Sequence, residues 1–240
     1  GDAERMELEK YDASGKKVYS TDVTEWTGES WFVTPAADGE GRVYLLCGEM
    51  IYLFDGQGSY AGSIDPANGG AGSGVSAMCR GKNGKVYACV TGHNRSASLE
   101  ELDFAGKKAD IVIQDFAACT SGGISVGQEK DLLVNDGSLV YGYDLTAKAC
   151  ETLFSWTDSG MVGSRVTAFG ELSDGRIFAV ATGTSEKGGA VMLLSRRSQE
   201  EMLEREELVL ATVFPGITLP DIVADFNSAS DRYHVTLKSY

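Results

Sequence analysis

Histidine occurs only twice in this 240-residue chain, at His93 and His234, and proline only four times. So little histidine removes most of the side chain best suited to acid–base work near neutral pH. Little proline beside 30 glycines suits a chain of many tight turns. Basic residues are also few: 21 Lys and Arg stand against 35 Asp and Glu, a formal charge of −14. No Lys/Arg cluster breaks this excess, which argues against nucleic acid and against an anionic membrane surface. The negative charge reads as solubility. No apolar run reaches the 18 residues expected of a membrane-spanning helix. The chain opens Gly1-Asp2-Ala3-Glu4-Arg5 with no apolar stretch behind it. The expectation is a cytosolic protein, or one whose targeting segment has been removed.

Motifs with chemistry attached are scarce too. Cys47, Cys79, Cys89, Cys119 and Cys150 are odd in number and contain no C-x-x-C. Metal-ligand spacing is absent. Cys47, Cys79 and Cys89 lie in apolar strand-like runs and read as small buried hydrophobes. No P-loop, dinucleotide fingerprint or Gly-x-Ser-x-Gly elbow occurs. Gly69–Gly74 is glycine-rich but opens no helix. Asn135-Asp136-Gly137-Ser138 and Asp38-Gly39-Glu40-Gly41 lack the spaced oxygens of a calcium loop and read as hairpin turns. No cofactor and no metal is expected.

What is present is a repeat. Gly-Arg-Val-Tyr-Leu-Leu-Cys-Gly at 41–48 returns as Gly-Lys-Val-Tyr-Ala-Cys-Val-Thr-Gly at 84–92. It returns again as Lys-Asp-Leu-Leu-Val-Asn-Asp-Gly at 130–137 and as Gly-Arg-Ile-Phe-Ala-Val-Ala-Thr-Gly at 175–183. Starts at 41, 84, 130 and 175 give spacings of 43, 46 and 45 residues. A second segment, a strand ending in an acidic turn, aligns Asp12, Asp55, Asp103 and Asp144. A period of roughly 40–50 residues with four short strands per period is the pattern of β-propeller blades. The fold class is therefore all-β, a propeller, with a β-sandwich as the structural alternative. Whole blades fall at about 31–65, 75–114, 116–156 and 165–214, and residues 6–23 supply a further hairpin. Val43, Leu45, Val86, Ala88, Ile177 and Ala179 are expected in buried second strands. Four and a half blades leave a ring that the blades alone do not close, with open sheet edges. Three outcomes follow: the hairpin and the tail 208–240 share a closing blade, two chains pair edge to edge as a homodimer, or the tail is disordered, closes nothing and waits for the rest of its lobe.

The pattern changes in the tail. Residues 198–207 are charged and helix-prone. Leu208–Phe214 reads as a strand, and Leu219, Ile222, Val223 and Phe226 fall on one face of an amphipathic helix. Tyr233–Tyr240 reads as a second strand. With the propeller region ending near 207, the tail 208–240 is a strand–helix–strand that opens an α/β domain. The run Leu208-Val209-Leu210-Ala211-Thr212, then Ile222-Val223-Ala224-Asp225-Phe226-Asn227, then Tyr233-His234-Val235-Thr236-Leu237, resembles the start of extracellular solute-binding proteins of ABC transporters, sugar-binding type. Segments such as Leu172-Ser173-Asp174-Gly175-Arg176-Ile177 and Glu129-Lys130-Asp131-Leu132-Leu133-Val134 are similar to the propeller-like N-terminal region of such proteins in gut clostridial lipoproteins. The resemblance implies an extracellular, lipid-anchored protein of the bacterial cell surface. It also implies an ABC transporter permease as partner of the full-length protein. The tail covers only the start of one lobe, so the family's sugar-binding residues have no counterparts here.

In a propeller, ligands usually meet the loops from a blade's fourth strand to the next blade's first, and from second strand to third. Trp26, Trp31 and Trp156 fall in or beside loops of the first kind. They can stack on a sugar ring or a peptide, or pack between blades, and tryptophan's strong tendency to burial favours packing. His93 and Arg95, in the loop Thr91–Ser96, can bind an anionic group, or simply lie in a solvated loop. The pairs Glu100-Glu101, Glu200-Glu201 and Glu206-Glu207 put neighbours on opposite strand faces and read as solvated. The leading function is a non-catalytic binding or spacer module whose ligand is an oligosaccharide or a peptide. The alternatives are a scaffold for protein–protein interaction and a propeller glycan lyase or hydrolase. The enzyme requires a cluster of titratable groups near the ring's centre, for which the sequence offers few candidates.

Overall fold

The computed structural model describes residues 5–28, 33–66, 74–91, 97–116, 119, 123–183, 188–196, 205–213 and 218–239. They fall into two compact units, Gly1–Ala118 and Cys119–Tyr240.

The first unit opens with an antiparallel hairpin, β1 (Glu7–Tyr11) and β2 (Lys17–Asp22), and a short helix α1 (Thr24–Thr27). Two four-stranded antiparallel meanders follow. One runs β3 (Val33–Ala37), β4 (Val43–Cys47), β5 (Met50–Phe54), β6 (Tyr60–Ile64). The next runs β7 (Gly74–Arg80), β8 (Val86–Thr91), β9 (Ala97–Asp103), β10 (Lys108–Phe116). The second unit holds a third meander, β11 (Ile124–Val126), β12 (Leu132–Asn135), β13 (Leu139–Asp144), β14 (Ala149–Ser155). A three-stranded sheet follows: β15 (Val166–Glu171), β16 (Ile177–Ala181), β17 (Ala190–Leu194). The unit ends in β18 (Glu206–Thr212), α2 (Leu219–Ala229) and β19 (Tyr233–Ser239), with β18 and β19 parallel. Four successive antiparallel meanders with a short α/β tail make this a β-propeller.

Burial of the second strands shows why these are blades and not sandwich sheets. In β4, Tyr44 and Leu46 pack toward Val86, Ala88 and Val90 of β8. Val43 and Leu45, on the other face, pack with Val23 and with Met6 and Leu8 of the hairpin. A sandwich strand would turn one face to solvent. Here β4, β8 and β12 are buried on both faces, each Val or Leu contributing about 1.5–3 kcal/mol. The second unit repeats the scheme, with Leu133 and Val140 against Val166, Phe169 and Ala179.

The repeat's leading glycine has a geometric cause. Gly41, Gly84 and Gly175 hold φ of 77°, 81° and 79°, where a side chain is strained. Each closes the turn into its second strand by donating N–H to the carbonyl of Asp38, Gly81 or Leu172. The acidic turns work differently. The carboxylates of Asp12, Asp55, Asp103 and Asp144 accept N–H from Ser14, Gln57, Ala105 and Thr146 at 2.9–3.0 Å. The last two of these turns place a lysine, Lys107 or Lys148, at positive φ.

Five expectations are revised. The fourth sheet has three described strands, and Leu208–Thr212 pairs in parallel with β19 instead of completing it. The tail and the N-terminal hairpin are accordingly separate two-stranded sheets. Ile177 is half-buried rather than core, because the last described strand of its sheet, β17, is itself exposed. Within 198–207, residues 198–204 lie outside the described residues, and Glu206 and Glu207 are strand. The helix turns Val223, Ala224 and Asn227 inward and leaves Ile222 and Phe226 exposed.

Candidate functional site

The loops on which a propeller ligand was expected are largely outside the described residues, and Trp31, His93 and Arg95 lie there with them. Trp26 is half-buried within α1. Its indole stacks on Tyr60, centroids 4.7 Å apart at 19°, and meets Phe54 edge-on at 5.4 Å. Trp156 is fully buried in the second unit. Its Nε1 donates to Asn135 Oδ1 at 2.8 Å, and Phe154 and Phe169 meet it edge-on. A tryptophan with no exposed surface and its one donor already bonded offers a ligand nothing to stack on. Packing therefore accounts for Trp156 in full and for most of Trp26.

A concavity of about 510 Å³ lies elsewhere in the first unit, on the side of the first-to-second and third-to-fourth strand turns. Two equivalent turns of successive blades build it, Asp38–Arg42 and Asn83–Lys85, together with the end of β9 and Phe104. They meet because Gly39 donates N–H to the carbonyl of Gly84 at 2.8 Å. A Cβ on Gly39 would come within 3.3 Å of Gly84 Cα, so a side chain there would press the two turns a few tenths of an ångström apart. The turn itself was legible in the sequence. Its partner was not, because nothing local in residues 38–42 names residues 83–85.

Charge dominates this groove. Buried Asp38 accepts N–H from Glu40 and Arg42 on one oxygen, and Arg42 Nε at 2.6 Å on the other. The Arg42 guanidinium lies over the Phe104 ring, 4.7 Å from its centroid. Glu101 holds Lys85 Nζ at 2.6 Å and the Tyr87 hydroxyl at 3.2 Å. Asp110 pairs with Lys108 at 2.7 Å. The lining carries the carboxylates of Asp38, Glu40, Glu101, Asp103 and Asp110 against the cations of Arg42 and Lys85, leaving it negative. Burial pushes the Tyr44 phenol up to about 12, with the Asp38 charge adding to it. Burial would lower Arg42, but the Asp38 hydrogen bond and charge outweigh it and the pKa rises. The Glu101 hydrogen bond raises Lys85. All three groups move away from neutrality, opposite to the tuning a general acid or base requires.

Glu100 corrects the solvated reading of its pair. It is buried, with Ser98 Oγ donating to it at 2.9 Å, and burial raises its pKa. The third strand of this blade is covered on both faces, so an adjacent pair has one member inside whichever way it turns.

The tail is seated by side chains. Buried Asn227 donates Nδ2–H to the carbonyls of Thr157 (3.1 Å) and Val235 (2.8 Å), and its Oδ1 accepts Val235 N–H at 2.7 Å. Arg165 pairs with Asp221 at 2.8 Å. His234 Nε2 lies 3.7 Å from Asp158, whose carboxyl burial pushes up.

No family model and no curated protein matches the chain. Similar solved structures include a protein of unknown function from Bacteroides caccae, with TM-score 0.48 and 11% identity, over 78% of this chain and 67% of that one. Puromycin hydrolase follows at 0.46 and 15%, over 76% of this chain, which spans 29% of the hydrolase. The periplasmic gluconolactonase PpgL of Pseudomonas aeruginosa stands at 0.42 and 13%, over 61% and 52%.

Proposed function

We propose that this propeller is a non-catalytic binding module of a bacterial cell-surface solute-binding lipoprotein, and that its groove holds a positively charged group such as a lysine or arginine side chain of a peptide. The groove between the 38–42 and 83–85 turns carries this reading. It is preformed, its lining has more carboxylates than cations, and Arg42 already covers the Phe104 face. An anionic concavity favours a cationic ligand by steering and by local pairing. A neutral sugar would find its natural platform, an open aromatic face, occupied. The parallel strand–helix–strand of β18, α2 and β19 agrees with the resemblance to solute-binding proteins, because parallel neighbours belong to α/β domains.

Thermal-shift and calorimetric titrations of the full chain with lysine- and arginine-containing oligopeptides, against neutral oligosaccharides, test the proposal. A ligand that binds only the folded state raises the melting temperature. Basic peptides are expected to raise it, with binding weakened by salt and by Asp110→Asn, a change at an exposed lining position. Two results overturn the reading: indifference to every basic peptide, or turnover of a substrate that one groove substitution abolishes.

A further inference from the structure

Among the described residues, three of the four meanders have four strands, and the last has three, ending in β17. One edge of β17 pairs with β16 in unbroken register, and the other has no strand beside it among the described residues. Exposed edges are normally blunted by charge, proline or a bulge. This one is Ala-Val-Met-Leu-Leu, with Val191 at 76% and Leu193 at 55% exposure. A second edge of the same kind lies in the same unit. Among the described residues β18 pairs only with β19, and Leu208, Val209 and Leu210 are 46%, 56% and 39% exposed.

We propose that these two edges are complementary between copies: β17 of one chain takes β18 of a second chain, antiparallel, as its fourth strand, and the exchange is reciprocal. The register that places Arg196 opposite Glu206 puts Leu194 opposite Leu208 and Leu193 opposite Val209. It also puts Met192 opposite Leu210 and Val191 opposite Ala211. Four of the five apolar side chains of the edge then meet an apolar one, Ala190 falls opposite Thr212, and an opposite-charge pair closes the end. The present partners of those charges are weak and exposed, Arg196 to Glu129 at 3.5 Å and Glu206 to Arg232 at 3.3 Å. Met192 and Leu194 already pack on the Trp156 core, and Leu210 and Leu208 would extend that face. Pairing β17 with β17, or β18 with β18, would leave the blade without its antiparallel fourth strand. The mixed pairing completes it twice over and closes a two-fold dimer. Exchange in trans is favoured because the chain's own β18 is held beside β19, whose helix is pinned through Asn227 and Asp221. This inference is independent of what the groove binds.

The test is cross-linking of the full chain after Cys150, the exposed cysteine, is changed to serine. Directly opposed strand residues bring Cβ atoms to about 4.5–5.5 Å, close to disulfide reach. Equimolar Leu193→Cys and Val209→Cys variants are expected to yield a dimer with one chain of each kind on oxidation. Sedimentation of the unmodified chain should show a reversible dimer, and Val209→Lys, at a site already in solvent, should return it to a monomer that melts where the unmodified chain melts once diluted to monomer. A chain that stays monomeric at every concentration overturns the proposal. So does a Leu193→Cys/Val209→Cys double variant that closes its bond within one chain while the mixed single variants stay uncoupled.

Discussion

Glu100 shows how a single side chain couples this fold to pH. It shares a strand face with Leu102, part of the packing between the first two blades. Burial raises its pKa above the ordinary glutamate value, so the folded state holds the proton more tightly than the unfolded chain. Its contribution is therefore most favourable below the unfolded pKa and is lost as pH rises through the folded value. Glu100→Gln removes the buried charge and keeps the shape. It should stabilise the protein at pH 8 by on the order of 1 kcal/mol, and urea denaturation should show that advantage shrinking toward pH 4. An advantage that does not vary with pH would place Glu100 in solvent. Lys148 makes a second case. It sits exposed at φ 51°, four residues after Asp144, whereas the turns of Asp12 and Asp55 place their positive-φ residue three residues on and use glycine there, Gly15 and Gly58. Lys148→Gly should raise stability by up to about 1 kcal/mol, the left-handed cost less the entropy glycine brings to the unfolded chain. An unchanged melting temperature would mean that the turn already relaxes this strain.

Elements differ in how plainly the sequence announces them. The second strands were legible because burial on both faces writes a continuous apolar run, and because the left-handed turn before most of them demands glycine, as at Gly41, Gly84 and Gly175. The acidic turns were legible through the local bonds of Asp12, Asp55, Asp103 and Asp144. Partnership was not legible. Leu208–Thr212 has the composition of a fourth blade strand, and only the seating of α2 assigns it to β19. The groove escaped for the same reason, since it arises from the meeting of two turns 43–45 residues apart. The helix illustrates the limit: its apolar stripe pointed to Ile222 and Phe226, yet Asn227 decides the face by bridging Thr157 and Val235. Asn227→Ala should therefore loosen the tail alone. It should cost about 1–3 kcal/mol locally through unpaired carbonyls. Hydrogen exchange should speed across 219–239 while β12 and β13 keep their protection. Uniform acceleration through both would show the tail to be part of the blade's own folding unit.

For the whole molecule, charge is the first consideration. A net −14 on 240 residues opposes compaction through self-repulsion, which salt screens. The melting temperature should rise between low salt and roughly 0.15 M. A fall would mean that pairs such as Arg165–Asp221 contribute more than the repulsion takes away. The burial of Trp156 has an optical consequence. It is the only tryptophan in the unit Cys119–Tyr240, and the other two belong to Gly1–Ala118. The chain thus carries an intrinsic reporter for each half. An indole sealed from water and hydrogen-bonded to Asn135 emits toward the blue, and its red shift on denaturation dates the opening of the second half alone. Replacing Trp26 and Trp31 by phenylalanine would leave a single-colour record of that half, against which the order of unfolding within one polypeptide can be timed.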